Sequence, residues 1–300
     1  MGNAFFDRQY RLTAGVAGEV GFTVGEPTPP HNAPLHISFA IERTDSKTLN
    51  TSKISLWNLS EKHINTLMRD GCQIILNAGY GNGMPCIFKG TVTNVVTELD
   101  GADRATEIEA VDGFAEVKDT YIVLSYSGKV NAHTLIEACA EKLGMSVVYS
   151  PTAVIKSKQT YLSSGYSEVG PAKNILTKVC TLAGLKWTIQ NGVLQVQKTG
   201  ETLSSAVHTI SPATGLVGVP KKIYNSAVAS GEDTGSTLQD SLFGYEVVYF
   251  MNGNINVNDL VKLESRIVTG VFRVYKLNVE GDNLAGDWQC TAQLVEVNAV

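Results

Sequence analysis

Apolar and polar residues alternate along much of this chain, and one arrangement of alternating stretches occurs twice. Near the C-terminus a short stretch at 260–263 precedes a long one at 271–279, VFRVYKLNV. An acidic, Gly-containing turn at 281–287 follows, then a closing stretch from Trp288 to position 297. Near the N-terminus the same order runs through 72–76, 87–96, the turn 100–103 and 106–111. Period two puts successive side chains on opposite faces of a strand. Each copy therefore predicts a short strand, a long strand, a turn and a closing strand. Two related β-units in one chain make duplicated architecture, rather than a catalytic motif, the main clue to function.

The remaining pattern divides the chain. Residues 10–30 are rich in Gly, Thr and Pro and end in Pro27-Thr-Pro-Pro30, which predicts an extended arm or edge strand. Stretches 35–43 and 53–59 alternate as half-buried strands. Ser60 then caps a short helix with Ile64 and Leu67 on one face. After Asp112-Gly113 the spacing becomes helical: Leu135, Ile136, Cys139 and Leu143 share a face, and Gly144 ends it. A strand follows at 145–149. A second helix starts at Pro171 and runs through Ile175, Leu176, Val179 and Cys180 to Gly184. Alternating runs at 185–189 and 193–197 flank Asn191-Gly192, a strong hairpin signal. The middle third thus predicts two helix-then-strand units. Beyond it, 211–220 reads as a Pro/Gly-rich connection and 230–237 as an exposed polar loop. A strand at 245–251 and a turn at Asn252-Gly253 lead into the second copy of the repeat. The fold class expected is mainly β (α+β): a β-barrel domain at 1–118, a small α/β module at 119–204 and a second β-barrel domain at 205–300.

Composition narrows the function classes. The 300 residues are 43% hydrophobic and 18% charged, enough to bury real cores in one large domain or two to three small ones. A formal charge of −5 argues against a dedicated nucleic-acid binder, which needs basic patches to neutralise phosphates, but suits a wall that DNA passes without being trapped. The five cysteines are scattered without a CxxC pair, against a zinc site or a disulfide framework and in favour of small buried hydrophobes. No run nears the roughly 18 apolar residues of a membrane span, and no signal-peptide core precedes the first strands. The expectation is a chain made in a reducing cytosol, with no membrane insertion of its own.

Catalytic signals are sparse. There is no P-loop, HExxH or nucleophile elbow. The glycine-rich 79–83 reads as a hairpin loop. His31, His36, His63, His133 and His208 are isolated from one another. The acidic turns, Asp100 with Asp103 and Asp282, Asn283 with Asp287, could hold a hard cation. Calcium, however, wants roughly 6–8 oxygens, and Asp, Asn and Gly are also what tight turns require. Glu107 and Glu109 share a strand face and read as a solvated edge. Trp57, Trp187 and Trp288 fall in predicted strands, as core or interface residues rather than a sugar platform. Tyr121, Tyr126, Tyr149, Tyr161 and Tyr166 suggest a contact surface. Neither catalysis nor a cofactor is expected.

Several segments carry a family likeness. VNDLVKLES at 257–265, TGVFRVYKLNVEGDN at 269–283 and GDWQCT at 286–291 resemble the closing barrel of tailed-phage baseplate hub proteins. That group includes the late control protein D family and the hub part of type VI secretion spikes. ISLWNLS at 54–60, IFKG at 87–90, AVDG at 110–113 and AKNILTKVCTLAGL at 172–185 are similar to phage tail hubs too. The resemblance implies a homotrimer whose two barrels per chain form a pseudo-six-fold ring. Such a ring sits between the hexameric tail tube protein and the trimeric central spike protein, beside other baseplate or tape-measure proteins. DNA would be only cargo in the lumen, and the protein would reside in the virion tail baseplate after assembly in the host cytoplasm. Trp57, Leu59, Phe88, Phe272, Val274 and Trp288 are its structural and interface candidates. A carbohydrate-binding distal-tail module, or less so a cell-wall hydrolase using Glu107, Glu109 or the 282–287 turn, is the alternative.

Overall fold

The computed structural model describes residues 7–25, 34–46, 49–81, 83–203, 206–225 and 242–297. The proline cluster at 27–30, His31 and the polar loop expected at 230–237 lie outside them. The N-terminal part contains β1 (Arg8–Gly15), β2 (Phe22–Val24), β3 (Ile37–Thr44), β4 (Thr51–Trp57), α1 (Glu61–Leu67), β5 (Gln73–Tyr80), β6 (Cys86–Asp100) and β7 (Asp103–Val111). Alternation decides which faces are buried: Tyr10, Leu12 and Ala14 of β1 point inward, as do Ile37, Phe39 and Ile41 of β3. Ser60 caps α1 through a bond from the His63 amide, and Ile64 and Leu67 are its buried face. The strand β1 is not a free arm. It pairs with β5 on one side and β2 on the other, because its apolar phase over 10–14 is complete before the prolines begin.

The middle part begins with α2 (Phe114–Asp119) and β8 (Tyr121–Tyr126), β9 (Val130–Asn131), α3 (Ala132–Leu143) and β10 (Ser146–Tyr149). It continues with α4 (Pro151–Gln159), β11 (Tyr161–Leu162), β12 (Tyr166–Pro171), α5 (Ala172–Leu182), β13 (Lys186–Gln190) and β14 (Val193–Gln197). The two expected helices and the Asn191-Gly192 hairpin are present, and the sheet order is β10-β14-β13. The structure adds the helix α4 and the short ladders β8·β12 and β9·β11. This module has its own core, in which Leu135, Ile136 and Cys139 of α3 meet Ile175, Leu176 and Cys180 of α5.

The C-terminal part contains β15 (Val207–Ile210), β16 (Leu216–Asn225), β17 (Leu242–Phe250), β18 (Leu260–Glu264), β19 (Thr269–Asp282) and β20 (Trp288–Glu296). Of residues 211–220, expected as a connection, 211–215 do connect, through a 3-10 turn at Pro212–Thr214, whereas 216–220 begin β16. Its register against β17 slips between Val217 and Lys221, and a bulge of this kind accommodates Gly218 and Pro220 in a strand.

The repeat is visible in the pairing. In the first unit the neighbours run β3-β4-β7-β6-β5; in the second they run β16-β17-β20-β19-β18. The long strands bulge at the same place, between Val92 and Asn94 in β6 and between Val274 and Lys276 in β19. The two units are also joined: β19 pairs antiparallel with β3, giving one 13-stranded sheet. That sheet folds over a single core running from Tyr10 to Leu294. Across it, the Trp288 indole donates to the Gly79 carbonyl at 3.2 Å and meets Phe39 edge-on.

Candidate functional site

The feature that distinguishes this chain is the place where its two β-units and its α/β module meet. Strand β19 is long enough to serve two partners along one edge. Residues 269–273 pair with β18, and 276–282 pair with β3. The switch falls at the bulged Tyr275, whose carbonyl accepts from the Asp45 amide.

Buried and half-buried polar side chains fill the space beside this switch. Asp45 takes Lys186 and Arg273 on Oδ2, each at 2.5 Å, and Gln197 on Oδ1 at 2.7 Å. Arg273 also donates to Asn258 Oδ1. Arg43 donates to Asn256 and to Gln190 Oε1, which also accepts from Asn50. Asp112 accepts the Asn191 and Gly192 amides, so the tip of the β13–β14 hairpin is held against the end of β7. Burial lowers the affinity of Lys186 and Arg43 for their protons and raises that of Asp112; the Gly192 amide and neighbouring donors partly offset the last effect. Groups removed from water this way hold position only while all are partnered. The arrangement can fix three parts rigidly; it offers no nucleophile and base aimed at a shared open space.

The outward face of the sheet is polar. A shallow concavity of about 450 Å³ spans β19, β3, β4, β7 and β6, and Glu42, Lys53, Glu109 and Glu280 line it. Lys53 pairs with Glu107 at 2.8 Å and Lys276 with Glu42 at 2.9 Å.

Of the candidates named from sequence, Leu59, Phe88, Phe272, Val274 and Trp288 are buried within the chain. Trp57 keeps one side in solvent, stacks on His36 and donates to Asp100. Both acidic turns are occupied by their own surroundings. Asp103 accepts from Asn58, and Asp282 accepts from the Leu284 and Ala285 amides and contacts His36 at 3.0 Å. Burial pushes the Asp282 carboxyl up, yet those partners outweigh it and hold the group below its ordinary range. Among the described residues, no group of three or more His, Cys, Asp or Glu is placed to hold a metal. Four cysteines are buried and Cys86 is half-buried, all as free thiols. Of the tyrosines, Tyr121 and Tyr161 are exposed, Tyr126 and Tyr149 half-buried and Tyr166 buried.

The polar junction was missed from sequence. A signal existed: Arg43 sits in the buried phase of β3, where Ile37, Phe39 and Ile41 precede it.

No protein-family model and no curated protein matches this sequence. Solved structures do. A 43 kDa tail protein of a Shewanella oneidensis prophage aligns over 97% of this chain and 98% of its own, with TM-score 0.61 at 11% identity. A tail protein from Neisseria meningitidis aligns over 96% and 97%, with TM-score 0.59 at 11% identity. An Escherichia coli type VI secretion component, itself described as similar to phage T4 tail proteins, aligns over 87% and 74%, with TM-score 0.57 at 9% identity. Across nearly its whole length, then, the chain has a fold found in phage tail proteins.

Proposed function

We propose that this chain is a structural hub of a phage-tail baseplate. In this reading three copies close a ring of six β-units that joins a hexameric tail tube to a trimeric central spike. The observation that carries it is the duplicated strand order, with the two units already hydrogen-bonded side by side through β19 and β3. A chain that repeats its own unit side by side can continue that contact to the next copy, and a heterologous contact with the right rotation closes into a ring. Three chains with two units each match six-fold symmetry on one side and three-fold on the other.

Several features support the reading. The junction ties β19, the first unit and the α/β module together through the contacts of Asp45, Arg43 and Asp112, as a symmetry adaptor requires. Glu42, Glu107, Glu109 and Glu280 on the outward face outnumber Lys53 and Lys276, which suits a channel wall that DNA slides past. Tube, spike and neighbouring baseplate or tape-measure proteins are its partners, and the virion tail is its location. The reading gives it no catalytic role. The carbohydrate-binding alternative needs open indole faces, whereas Trp187 and Trp288 are buried and Trp57 is stacked on His36. The hydrolase alternative would use Glu107, Glu109 or the 282–287 turn; Glu107 is held by Lys53, Glu109 accepts from Asn94, and Asp282 accepts amides of its own turn.

Light scattering on the purified chain, alone and with its candidate spike, tests this. A trimeric mass, or a ring seen by electron microscopy, is expected. A monomer under both conditions would overturn it.

A further inference from the structure

The second half of β6 has an exposed edge. Residues 86–91 pair with β5 and 91–100 with β7, but among the described residues no strand pairs with the other edge of 94–100. In the second unit the matching half of β19 is covered by β3. Val95 and Thr97 are half-buried there, whereas the equivalent Leu277 and Val279 on the covered strand are buried, and Val96 and Leu99 on the outer side of the edge are 40% and 83% exposed. At the far end of the sheet β16 is in the reverse position. It corresponds to β3, but among the described residues it pairs only with β17. A long, partly apolar edge is a template for another strand.

We propose that residues 94–98 of β6 pair antiparallel with residues 221–225 of β16 in a second copy of this chain. The register follows that by which β19 pairs β3. This rests on the ring reading and specifies how one copy joins the next.

The register comes from the shared neighbours. Glu98 lies opposite Ala105 of β7, and Glu280 lies opposite Gln289 of β20, which is the same position in the two units. Lys221 lies opposite Glu246 of β17, and Ala40 lies opposite Lys53 of β4, again equivalent. Within the chain Glu280 faces Ala40 and Lys276 faces Thr44. Between copies the same geometry sets Glu98 against Lys221, Thr97 against Lys222, Val96 against Ile223 and Asn94 against Asn225. The transfer puts an opposite-charge pair, Glu98 with Lys221, where Glu280 faces Ala40, and an apolar pair, Val96 with Ile223, where Asn278 faces Glu42. The ladder stops at Pro220, which has no N–H to donate. Just beyond it the exposed Leu99 and Val219 are brought together. Within one chain the two strands are not paired, and β17, β20, β19, β3, β4 and β7 lie between them in the sheet.

The test uses the full chain carrying Glu98→Cys and Lys221→Cys. Directly opposed residues have Cβ atoms roughly 4.5–5.5 Å apart, close enough for a disulfide after a small shift. Mild oxidation should give covalent dimers and trimers from the double variant, and from a mixture of the two single variants dimers only. Glu98→Cys with Ile223→Cys, two positions out of register, should cross-link far more slowly. In parallel, Glu98→Lys should weaken association roughly five- to tenfold, and adding Lys221→Glu should restore it. An oligomer of trimeric mass that fails to cross-link through 98 and 221, or cross-links faster through 98 and 223, overturns this junction while leaving the hub reading intact. A chain that stays monomeric, alone and with the spike, overturns both.

Discussion

Arg273 and Asp45 meet inside the protein at 2.5 Å, Nη1 to Oδ2, although 228 positions separate them in the chain. Asp45 is at once the partner of β19, through Arg273, and of the α/β module, through Lys186 and Gln197. Replacing it by Ala leaves the buried Arg273 with Asn258 alone and removes the carboxylate from the half-buried Lys186 and from the Gln197 amide. Asp45→Ala should therefore cost about 3–5 kcal/mol, the range for breaking a buried ion pair from one side. Asp45→Asn, which keeps an acceptor, should cost less. Denaturant midpoints of the two variants check the order; equal losses would mean that the charge of Asp45, and not its acceptor geometry, holds this junction.

Two glycines on the joined sheet should differ in a way that their neighbours decide. A Cβ on Gly281 would lie 2.3 Å from Phe39 Cζ and 2.8 Å from Trp288 Cε3, both side-chain atoms that can move. A Cβ on Gly244 would lie 1.9 Å from the Leu294 carbonyl oxygen, which is backbone in the β17·β20 ladder. Gly281→Ala should cost about 1–3 kcal/mol by overpacking, and Gly244→Ala should cost more because the ladder must open. Thermal melts of both variants would reveal the ranking, and the reverse order would contradict the packing around Phe39.

Trp288 combines two roles in one residue: its ring fills the core beside Phe39, and its N–H satisfies the Gly79 carbonyl. Trp288→Ala should cost about 3–5 kcal/mol, as truncation of a buried aromatic does. Trp288→Phe should keep most of the packing and lose the bond, with a cost nearer 1–2 kcal/mol. If Trp288→Ala left both folding and association unchanged, this strand would be misplaced.

What could be read from the sequence, and what could not, follows from the range of each signal. Alternation and turn chemistry are local, so the long strands, the Ser60 cap and the Asn191-Gly192 hairpin were legible. The helix α4 was not, since its buried residues are only Ala153 and Ser157 and no apolar stripe marks it. Residues 216–220 misled because Gly and Pro usually punctuate structure, whereas here a bulge on an edge strand absorbs them. The pairing of β19 with β3 was invisible for a different reason: period two says which face a strand buries, not which strand lies beside it. The same limit hid the polar junction, whose members come from five separate parts of the chain. Arg43 at a buried phase was the one local hint of it.

The buried thiols predict how stability changes in alkali. Cys139 on α3 and Cys180 on α5 face each other's helix in the module core, and burial pushes both up to about 12 from 9.0. Glu168 adds to the shift of Cys139, and Cys139 to that of Cys180. For an acid whose folded value is raised, the folded state holds its proton where the unfolded chain has released it. The resulting stability is complete below pH 9 and declines as pH rises from there toward the folded values. Each thiol contributes up to about 1.4 kcal/mol of that decline per pH unit. The double variant Cys139→Ala, Cys180→Ala should start less stable at pH 7, from lost packing, yet fall less steeply between pH 9 and 11. Urea midpoints across that interval give both slopes. Parallel slopes would mean that these thiols ionise as freely in the folded module as in the unfolded chain, and that the α3–α5 interface admits water.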